Sequence, residues 1–301
     1  MKIHYLSKTG TNKLNVDFSS SYNRDTSNKN LETHIEKIWA EKCSKNSKLF
    51  NASKFRLNDL QVTVDDESDK SDTIHLQIGI TSYKEHCATD YNVPYSINKK
   101  YAANKIATGG VILTSDDCLM VQKRAKWVNS SPGMYDCPGG HPEPDNVDFE
   151  HDFQRTSGNS VSLNDRVAEE LLIAQKNEIC EELNIKLNEI TSHKLHSIIA
   201  CPYKNDPTEN SSWSRPVFYF ITKCTLSSQE IIKRHSQGGN ETDEAEKLET
   251  WMIGHCLGNF RESEKFSPSG FCALGTFLYC RGEIGREELV DKVMRSCRPN
   301  V

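Results

Sequence analysis

The sequence predicts an α/β layered domain over residues 105–301, preceded by a smaller α+β region over residues 1–104. Three observations lead to this prediction. Strand-like and helix-like segments are intermixed after residue 105, which is typical of an α/β layered architecture. The first third instead carries one amphipathic helical segment followed by one alternating strand segment. The 301 residues suffice to bury a substantial core in one large or two smaller domains.

The N-terminal region is predicted from its apolar spacing. Residues 7–30 are polar and rich in turn formers, so we expect a loosely held arm there. A first amphipathic helix follows, because apolar residues recur at helical spacing at Leu31, Ile35, Ile38, Trp39 and Cys43. Alternation between apolar and polar residues over 74–80 then predicts a strand after the acidic stretch DDESDKSD.

The second region begins with two strand-like runs, TGGVILT and CLMVQKRAKWV, joined by a turn at 115–117. A long helix is predicted over about 165–183, after a polar insert. Further strands are expected at 195–201, 216–224 and 250–254, and further helices at 227–236, 270–281 and 284–297.

Composition narrows the class of partner and compartment. Lys plus Arg total 37 against 42 Asp plus Glu, and no basic block stands out, so we expect no nucleic-acid and no membrane partner. No segment reads as a secretory signal or a membrane span, which predicts a soluble cytoplasmic protein. The 11 cysteines contain no C-x-x-C pair, and their odd number favours reduced thiols. The oligomeric state stays open.

The stretch NEICEELNI crowds acidic residues onto one side of the long helix. On a helical projection Glu178, Glu181 and Glu182 fall within an arc of about 100°, beside an apolar face that includes Ile179 and Leu183. Like charges at this spacing repel by a few tenths of a kcal/mol per pair, roughly. The bland explanation is a solvated acidic surface; the functional one is a site that binds cations.

A second motif favours the functional explanation. CPGGHPEP, at 137–144, places two glycines just after a strand. Together with the acidic helix it resembles the Nudix box: Gly140 opens the box, and its second half is filled in register by Glu178, Ile179, Glu181, Glu182 and Ile185. The resemblance implies a Nudix α/β/α sandwich with a mixed sheet.

The box departs from its standard form at three places. Asn177 stands for the arginine, whose acidic partner in the family would fall on Glu169; Asn184 stands for the glycine; and residues 146–168 are inserted. Asparagine is the next-best residue for the left-handed conformation that ends a helix, whereas it cannot supply the arginine's charge. The same departures are typical of the UDP-sugar pyrophosphatases of animals, which KFRL at 54–57 and TSY at 81–83 also resemble.

This resemblance implies hydrolysis of UDP-glucose and UDP-galactose to UMP and sugar 1-phosphate. Mg²⁺, with Mn²⁺ as an alternative, would be held by Glu178, Glu181 and Glu182, and a backbone carbonyl near Gly139 or Gly140 would join the ligands. Hard cations held by carboxylates suit this chemistry, because they neutralise a diphosphate and activate water.

The remaining site residues are expectations of the same resemblance. A general base is expected from the segment before a late strand, which offers Glu241, Glu244 and Glu246, and we choose Glu244. A solvated acidic loop explains these residues equally well. Arg124 is expected to bind phosphate, with an ordinary surface cation as its alternative. Uridine recognition is expected from Phe55, Arg56 and Tyr83, and for the aromatic residues core packing is the alternative.

Three hypotheses remain open from the sequence. The first is a Mg²⁺-dependent hydrolase of UDP-sugars. The second is a Nudix hydrolase of another diphosphate, such as ADP-ribose or a dinucleoside polyphosphate. The third is a non-catalytic Nudix-fold binding protein, for which Asn177 is the best argument; the retention of all three helix carboxylates favours an enzyme.

Overall fold

A mixed β-sheet with helices on both faces organises the fold. The computed structural model describes residues 2–10, 12–64, 71–90, 99–128, 131–149, 161–201, 215–238, 245–262 and 265–296. Within these ranges the strands are β1 Lys2–Leu6, β2 Asn12–Phe18, β3 Ser53–Thr63, β4 Asp72–Ser82, β5 Ala107–Leu113, β6 Leu119–Arg124, β7 Tyr135–Asp136, β8 Gly139–Gly140, β9 Ile190–Cys201, β10 Arg215–Cys224 and β11 Ala245–Trp251. The helices are α1 Lys29–Lys45, α2 Tyr83–Thr89, α3 Leu163–Leu183, α4 Ser228–Ser236, α5 Ile253–Arg261, α6 Pro268–Arg281 and α7 Arg286–Ser296.

The large sheet has the strand order β1-β9-β10-β5-β6-β11, with β7 paired to β6 and β8 paired to β5. Strands β5 and β10 run parallel, whereas β9 pairs antiparallel with β10 and β11 pairs antiparallel with β6. The mixed sheet predicted from the sequence is therefore confirmed.

Strand β10 shows how the two faces of this sheet are covered. Val217 and Tyr219 pack with α5, α6 and α7 on one face. Phe218 and Phe220 point to the opposite face and pack with α3 and the N-terminal sheet. This alternation follows from the two-residue period of a strand. A run of buried apolar residues in β10 therefore indicates a strand covered on both sides.

The N-terminal region forms a second sheet, with the order β2-β4-β3. Strand β3 also reaches the large sheet: the Leu57 N–H donates to the Asn104 carbonyl, and the Ile106 N–H donates to the Phe55 carbonyl. At the other side, β1 pairs with β9 and so belongs to the large sheet. The two sheets share an apolar core, into which the long helix α3 also packs.

Most predicted elements are confirmed, and two predictions are wrong. The segment 7–30 is not a loose arm throughout, because residues 12–18 form β2, where Leu14 and Val16 are buried beneath a mainly polar sequence. The strand expected over 250–254 ends at Trp251, and the helix α5 begins two residues later. Both errors have the same cause: a short stretch with apolar residues does not show which other element of the fold will pack against it.

The end of α3 confirms the expected role of Asn184. This residue adopts the left-handed conformation, with φ 53° and ψ 49°, and its N–H bonds the Cys180 carbonyl. Its side-chain amide donates to the carbonyls of Arg234 and Gly238 at 3.1 and 2.9 Å. Asn184 therefore ends the helix and ties it to the end of α4.

Replacing Asn184 separates these two contributions. Both Asn184→Gly and Asn184→Ala lose the side-chain bonds, but only alanine is strained at a positive φ. We expect Asn184→Ala to lower the free energy of unfolding by about 1 to 2 kcal/mol more than Asn184→Gly. Chemical denaturation of the three proteins measures this difference, and equal stabilities of the two variants would contradict it.

Candidate active site

The three acidic side chains of α3 have different environments. Glu182 is buried, and its Oε2 accepts a hydrogen bond from Gln122 Nε2 at 2.9 Å. Glu178 is half-buried, and Glu181 is exposed. Because Ile179 and Leu183 are fully buried in the core beneath them, the helix cannot rotate the acidic face away. The fold therefore fixes these carboxylates at the boundary between core and solvent.

The Gly-Gly loop lies directly against this acidic face. Gly139 and Gly140 pair with Gly109 and Thr108 of β5. A Cβ atom on Gly140 would lie 1.6 Å from Glu178 Oε1, so only glycine leaves room for the carboxylate in this position. Glu178 Oε1 also accepts a hydrogen bond from the His141 N–H at 3.3 Å.

Two further side chains of α3 hold the loop. Gln175 is fully buried, and its Nε2 donates to the Pro138 carbonyl at 2.7 Å. Glu170 is also buried, and its Oε1 accepts from the Glu143 N–H at 2.9 Å and from Asn146 Nδ2 at 3.2 Å. Burial raises the pKa of Glu170, and these hydrogen bonds oppose the shift. The helix and the loop are thus one hydrogen-bonded unit.

Sequence reasoning missed the roles of Glu170 and Gln175. Spacing in the Nudix box points to Glu169, but Glu169 is exposed and its neighbour Glu170 is buried against the loop. The available signal was the helical projection, because Glu170 falls on the same side of α3 as Glu178. Asn177 is half-buried and lacks the charge to replace the arginine of the box.

The donor chemistry at this loop suits a hard divalent cation, although no metal cluster is preassembled. Within the described ranges no three His, Cys, Asp or Glu side chains are grouped to hold a metal ion. Glu178 and Glu182 instead accept hydrogen bonds, and Glu181 faces solvent. Carboxylate and carbonyl oxygens are nevertheless the ligands that Mg²⁺ prefers, with waters completing its coordination.

Unsatisfied polar atoms around the loop support this fit. Among the described residues, Thr108 Oγ1, His141 Nε2 and Gln175 Oε1 are buried without a hydrogen-bond partner. Each belongs to the loop or to a residue that pairs with it. Buried polar atoms are ordinarily bonded to protein, water or ligand, so this loop is suited to hydrated or ligand groups.

Arg124 and Glu246 lie on the β6–β11 side. Arg124 Nη1 is 3.8 Å from Asp136 Oδ2, and burial raises the pKa of Asp136 while the arginine opposes that shift. Glu244 and Glu241 lie outside the described residues, so their expected role stays a prediction. Glu246 is exposed, 4.0 Å from Lys123 Nζ.

Phe55 and Arg56 lie inside the N-terminal region. Phe55 is fully buried in the shared core. The Arg56 guanidinium is also fully buried and donates to the carbonyls of Tyr22, Lys99 and Ala102. Burial lowers the pKa of Arg56 to about 10. Because these donors are engaged by the backbone, Arg56 ties three segments of the N-terminal region together.

Strand β3 nevertheless brings the N-terminal region to the loop. Lys54 Nζ pairs with Glu143 Oε1 at 2.5 Å, and Ser53 Oγ donates to Asp145 Oδ1 at 2.5 Å. Tyr83 is half-buried, and its ring centroid lies 6.1 Å from that of Trp39. Lys105 Nζ lies 5.8 Å from the centroid of the Tyr83 ring. Of the three residues expected to bind uridine, only Tyr83 is not fully buried.

Curated relatives of the chain carry Nudix hydrolase names. The chain is 28% identical over 238 residues to Nudix hydrolase 9 of Arabidopsis thaliana, covering 74% of this chain and 73% of the relative. The chain is a relative of the Nudix hydrolases. It is also 27% identical over 226 residues to the human uridine diphosphate glucose pyrophosphatase NUDT22, covering 70% and 69% of the two chains. The bovine protein of that name is 27% identical over 262 residues, covering 81% and 83%.

These relatives confirm the resemblance carried by the box, and the chain's enzyme class is that of a Nudix hydrolase. Nudix hydrolases use divalent metal ions. No family model matches the chain. Among solved structures, a MutT protein from Methanosarcina mazei is similar with a TM-score of 0.31 and 16% identity, covering 59% of this chain and 93% of that one. No helix in the described ranges is long and apolar enough to cross a membrane.

Gly140→Ala tests the contact between the loop and the helix. The added methyl group displaces the Glu178 carboxylate, which is the flexible end of a side chain, so the fold should survive. We expect hydrolysis of a diphosphate substrate to fall by at least about tenfold, on the order of 1.4 kcal/mol, while the melting temperature changes little.

Gly254→Ala is the matched control, because a Cβ atom at Gly254 meets nothing within 4 Å. Full activity in Gly140→Ala would show that the position of Glu178 against the loop does not matter for the reaction.

Proposed function

We propose that the chain is a metal-dependent hydrolase that splits UDP-glucose and UDP-galactose into UMP and sugar 1-phosphate. The observation that carries the proposal is the placement of the Glu178 carboxylate against Gly140, on the same side of α3 as Glu181 and Glu182, at the loop where buried polar atoms of the described residues lack partners. The relatives named uridine diphosphate glucose pyrophosphatase support the choice of substrate. Hydrolysis of another diphosphate is the alternative.

Glu178, Glu181 and Glu182 would hold the divalent cation, together with a carbonyl at Gly139 or Gly140. Bound there, Mg²⁺ supplies neutralisation of the diphosphate charge and activation of water. The hydrogen bonds from His141 and Gln122 would orient Glu178 and Glu182, as outer contacts commonly orient metal-binding carboxylates. Asn177 cannot contribute the charge that the arginine of the box supplies in this position.

The N-terminal region would close the uridine end of the site. Tyr83 is our choice for stacking on the base, since it is only half-buried and its N–H bonds the Ala52 carbonyl, just ahead of the strand β3 that contacts the loop. Phe55 and Arg56 would act indirectly, by holding β3 in place. Arg124 would meet the phosphates from β6, and Glu244 stays our choice of general base.

Glu182→Gln tests the metal-binding role. The amide preserves the shape of the side chain and can still accept from Gln122, while one repulsion between acids disappears, so the fold should be as stable or slightly more stable. We expect turnover of UDP-glucose to be lost. Mg²⁺ should raise the melting temperature of the wild type by mass action and raise that of the variant much less.

Glu287→Gln, at an exposed position in the first turn of α7, controls for the loss of one negative charge. If Glu182→Gln turns over at the wild-type rate, Glu182 is not a metal ligand. If the wild type is inactive on every diphosphate tested but still binds UDP-glucose, the non-catalytic alternative is correct.

Substrate selectivity tests the uridine assignment. A buried site that bonds the uracil edge leaves polar groups unpaired when adenine enters, so ADP-glucose and ADP-ribose should be slower in kcat/KM by roughly a hundredfold or more. Tyr83→Ala should lower kcat/KM for UDP-glucose by a stacking contact worth about 1 to 3 kcal/mol. Steady-state kinetics on the three substrates measure both effects. Comparable rates on uridine and adenosine substrates would favour the general Nudix hydrolase.

A further inference from the structure

Lys105 is a buried cation without an acceptor. The residue is 3% exposed, and among the described residues its Nζ contacts only the Tyr83 ring, at 5.8 Å. Burial, together with the charges of Arg215 and Lys54, lowers the pKa of Lys105 to about 7, and the charge of Asp90 opposes this shift. Burying an ammonium group costs stability unless an anion or several acceptors compensate it. The buried ammonium group of Lys105 therefore does not stabilise the fold.

The strand register brings three cations to the start of β5. Val217 of β10 pairs in parallel with Ala107 of β5, so Arg215 and Lys105 each lie two residues ahead of this pair. Arg56 of β3 bridges to Lys105 from the other side, which puts Lys54 alongside the same strand end. Three chain segments distant in sequence thus each contribute one positive side chain.

This cation cluster, Lys54, Lys105 and Arg215, lies beside the candidate active site. Thr108, three residues after Lys105, pairs with Gly140 of the Gly-Gly loop. Lys54 Nζ also pairs with Glu143, two residues beyond His141 of the loop, at 2.5 Å. Thr108 Oγ1 and His141 Nε2, at this loop, are among the buried side-chain atoms of the described residues that lack a hydrogen-bond partner.

Nearby acids are already paired with other groups. Glu143 binds Lys54 at 2.5 Å. On α2, Asp90 binds His86 Nδ1 at 2.5 Å, and burial lowers the pKa of that histidine to about 4. Cys87 of α2 is buried, and burial raises the pKa of its thiol, so it adds no negative charge at neutral pH. Glu143 and Asp90 are thus bonded to other side chains, and among the described residues neither makes a hydrogen bond to Lys105.

We propose that Lys105 and Arg215 form a diphosphate-binding subsite, which holds the substrate's phosphates against the Gly-Gly loop. Lysine and arginine N–H groups bind phosphate oxygens through charge-assisted hydrogen bonds, the strongest that side chains make. The anion supplies the compensation that Lys105 lacks in the free protein. The inference rests on the proposed function for the position of the site, but not for the choice of uridine.

Binding of inorganic pyrophosphate to the full chain, by isothermal titration calorimetry without divalent metal, tests the subsite. We expect Lys105→Gln to weaken pyrophosphate binding by about tenfold to a hundredfold, the worth of one hydrogen bond to a charged group. Lys233→Gln, an exposed change on α4 of equal charge, should leave binding at the wild-type level. Equal affinities of Lys105→Gln and Lys233→Gln would overturn the proposal.

Lys105→Met guards against loss of fold, because it keeps the length of the side chain and removes only the buried charge. It should be at least as stable as the wild type by thermal unfolding and should bind pyrophosphate as poorly as Lys105→Gln. A Lys105→Met protein that is folded and binds pyrophosphate like the wild type would also overturn the proposal.

The pH dependence gives a second readout. Lys105 is charged below its pKa of about 7 and neutral above it, so pyrophosphate affinity of the wild type should fall between pH 6 and pH 8.5. Lys105→Arg keeps its charge throughout and should bind with a smaller fall over this range. The ionisation of pyrophosphate itself is common to both proteins. Identical pH profiles of the two would contradict the role of Lys105.

The outcomes separate this inference from the proposed function. Loss of pyrophosphate binding in Lys105→Gln, in a protein that cleaves ADP-ribose as fast as UDP-glucose, supports the subsite and rejects the uridine assignment. Selective cleavage of UDP-glucose, with pyrophosphate binding unchanged in Lys105→Gln, supports the proposed function and rejects the subsite.

Discussion

The hydrogen-bonded contact between α3 and the Gly-Gly loop is the constraint on which the site depends. Gly140 has no side chain and therefore admits the Glu178 carboxylate, while Gln175 and Glu170 hold the loop at Pro138 and Glu143. The apolar face of α3 fixes the helix in the core. Carboxylates that repel one another are thereby kept together, at a cost in stability that the core offsets and that metal binding would recover.

The N-terminal region also contacts the Gly-Gly loop and its surroundings. Strand β3 pairs with the segment ahead of β5, and Lys54 and Ser53 at its start bond Glu143 and Asp145 just beyond the loop. Arg56 secures this strand from within. A change in the N-terminal region can therefore reach the carboxylates through one strand, although no residue of that region belongs to the Nudix box.

Periodicity within one element was predictable from the sequence, whereas contacts between elements were not. The extent of α3, its acidic side and its end at Asn184 all follow from spacing and backbone preference, and the structure has them as expected. Arg56 was assigned to the substrate by the family resemblance; its backbone acceptors are carbonyls more than 30 residues away, which no local pattern shows. Lys105 escaped notice for the same reason, since its neighbours come from β3, β10 and α2.

The central claim is that the acidic side of α3 and the Gly-Gly loop together bind a divalent cation at a diphosphate. Anomalous diffraction from crystals grown with Mn²⁺ and UDP tests this most directly, because it locates the metal independently of activity. The account predicts an anomalous peak bound by carboxylates of Glu178, Glu181 and Glu182, with the UDP phosphates beside it. UDP bound in the site with no peak at these carboxylates, or a peak held by other residues, would contradict it.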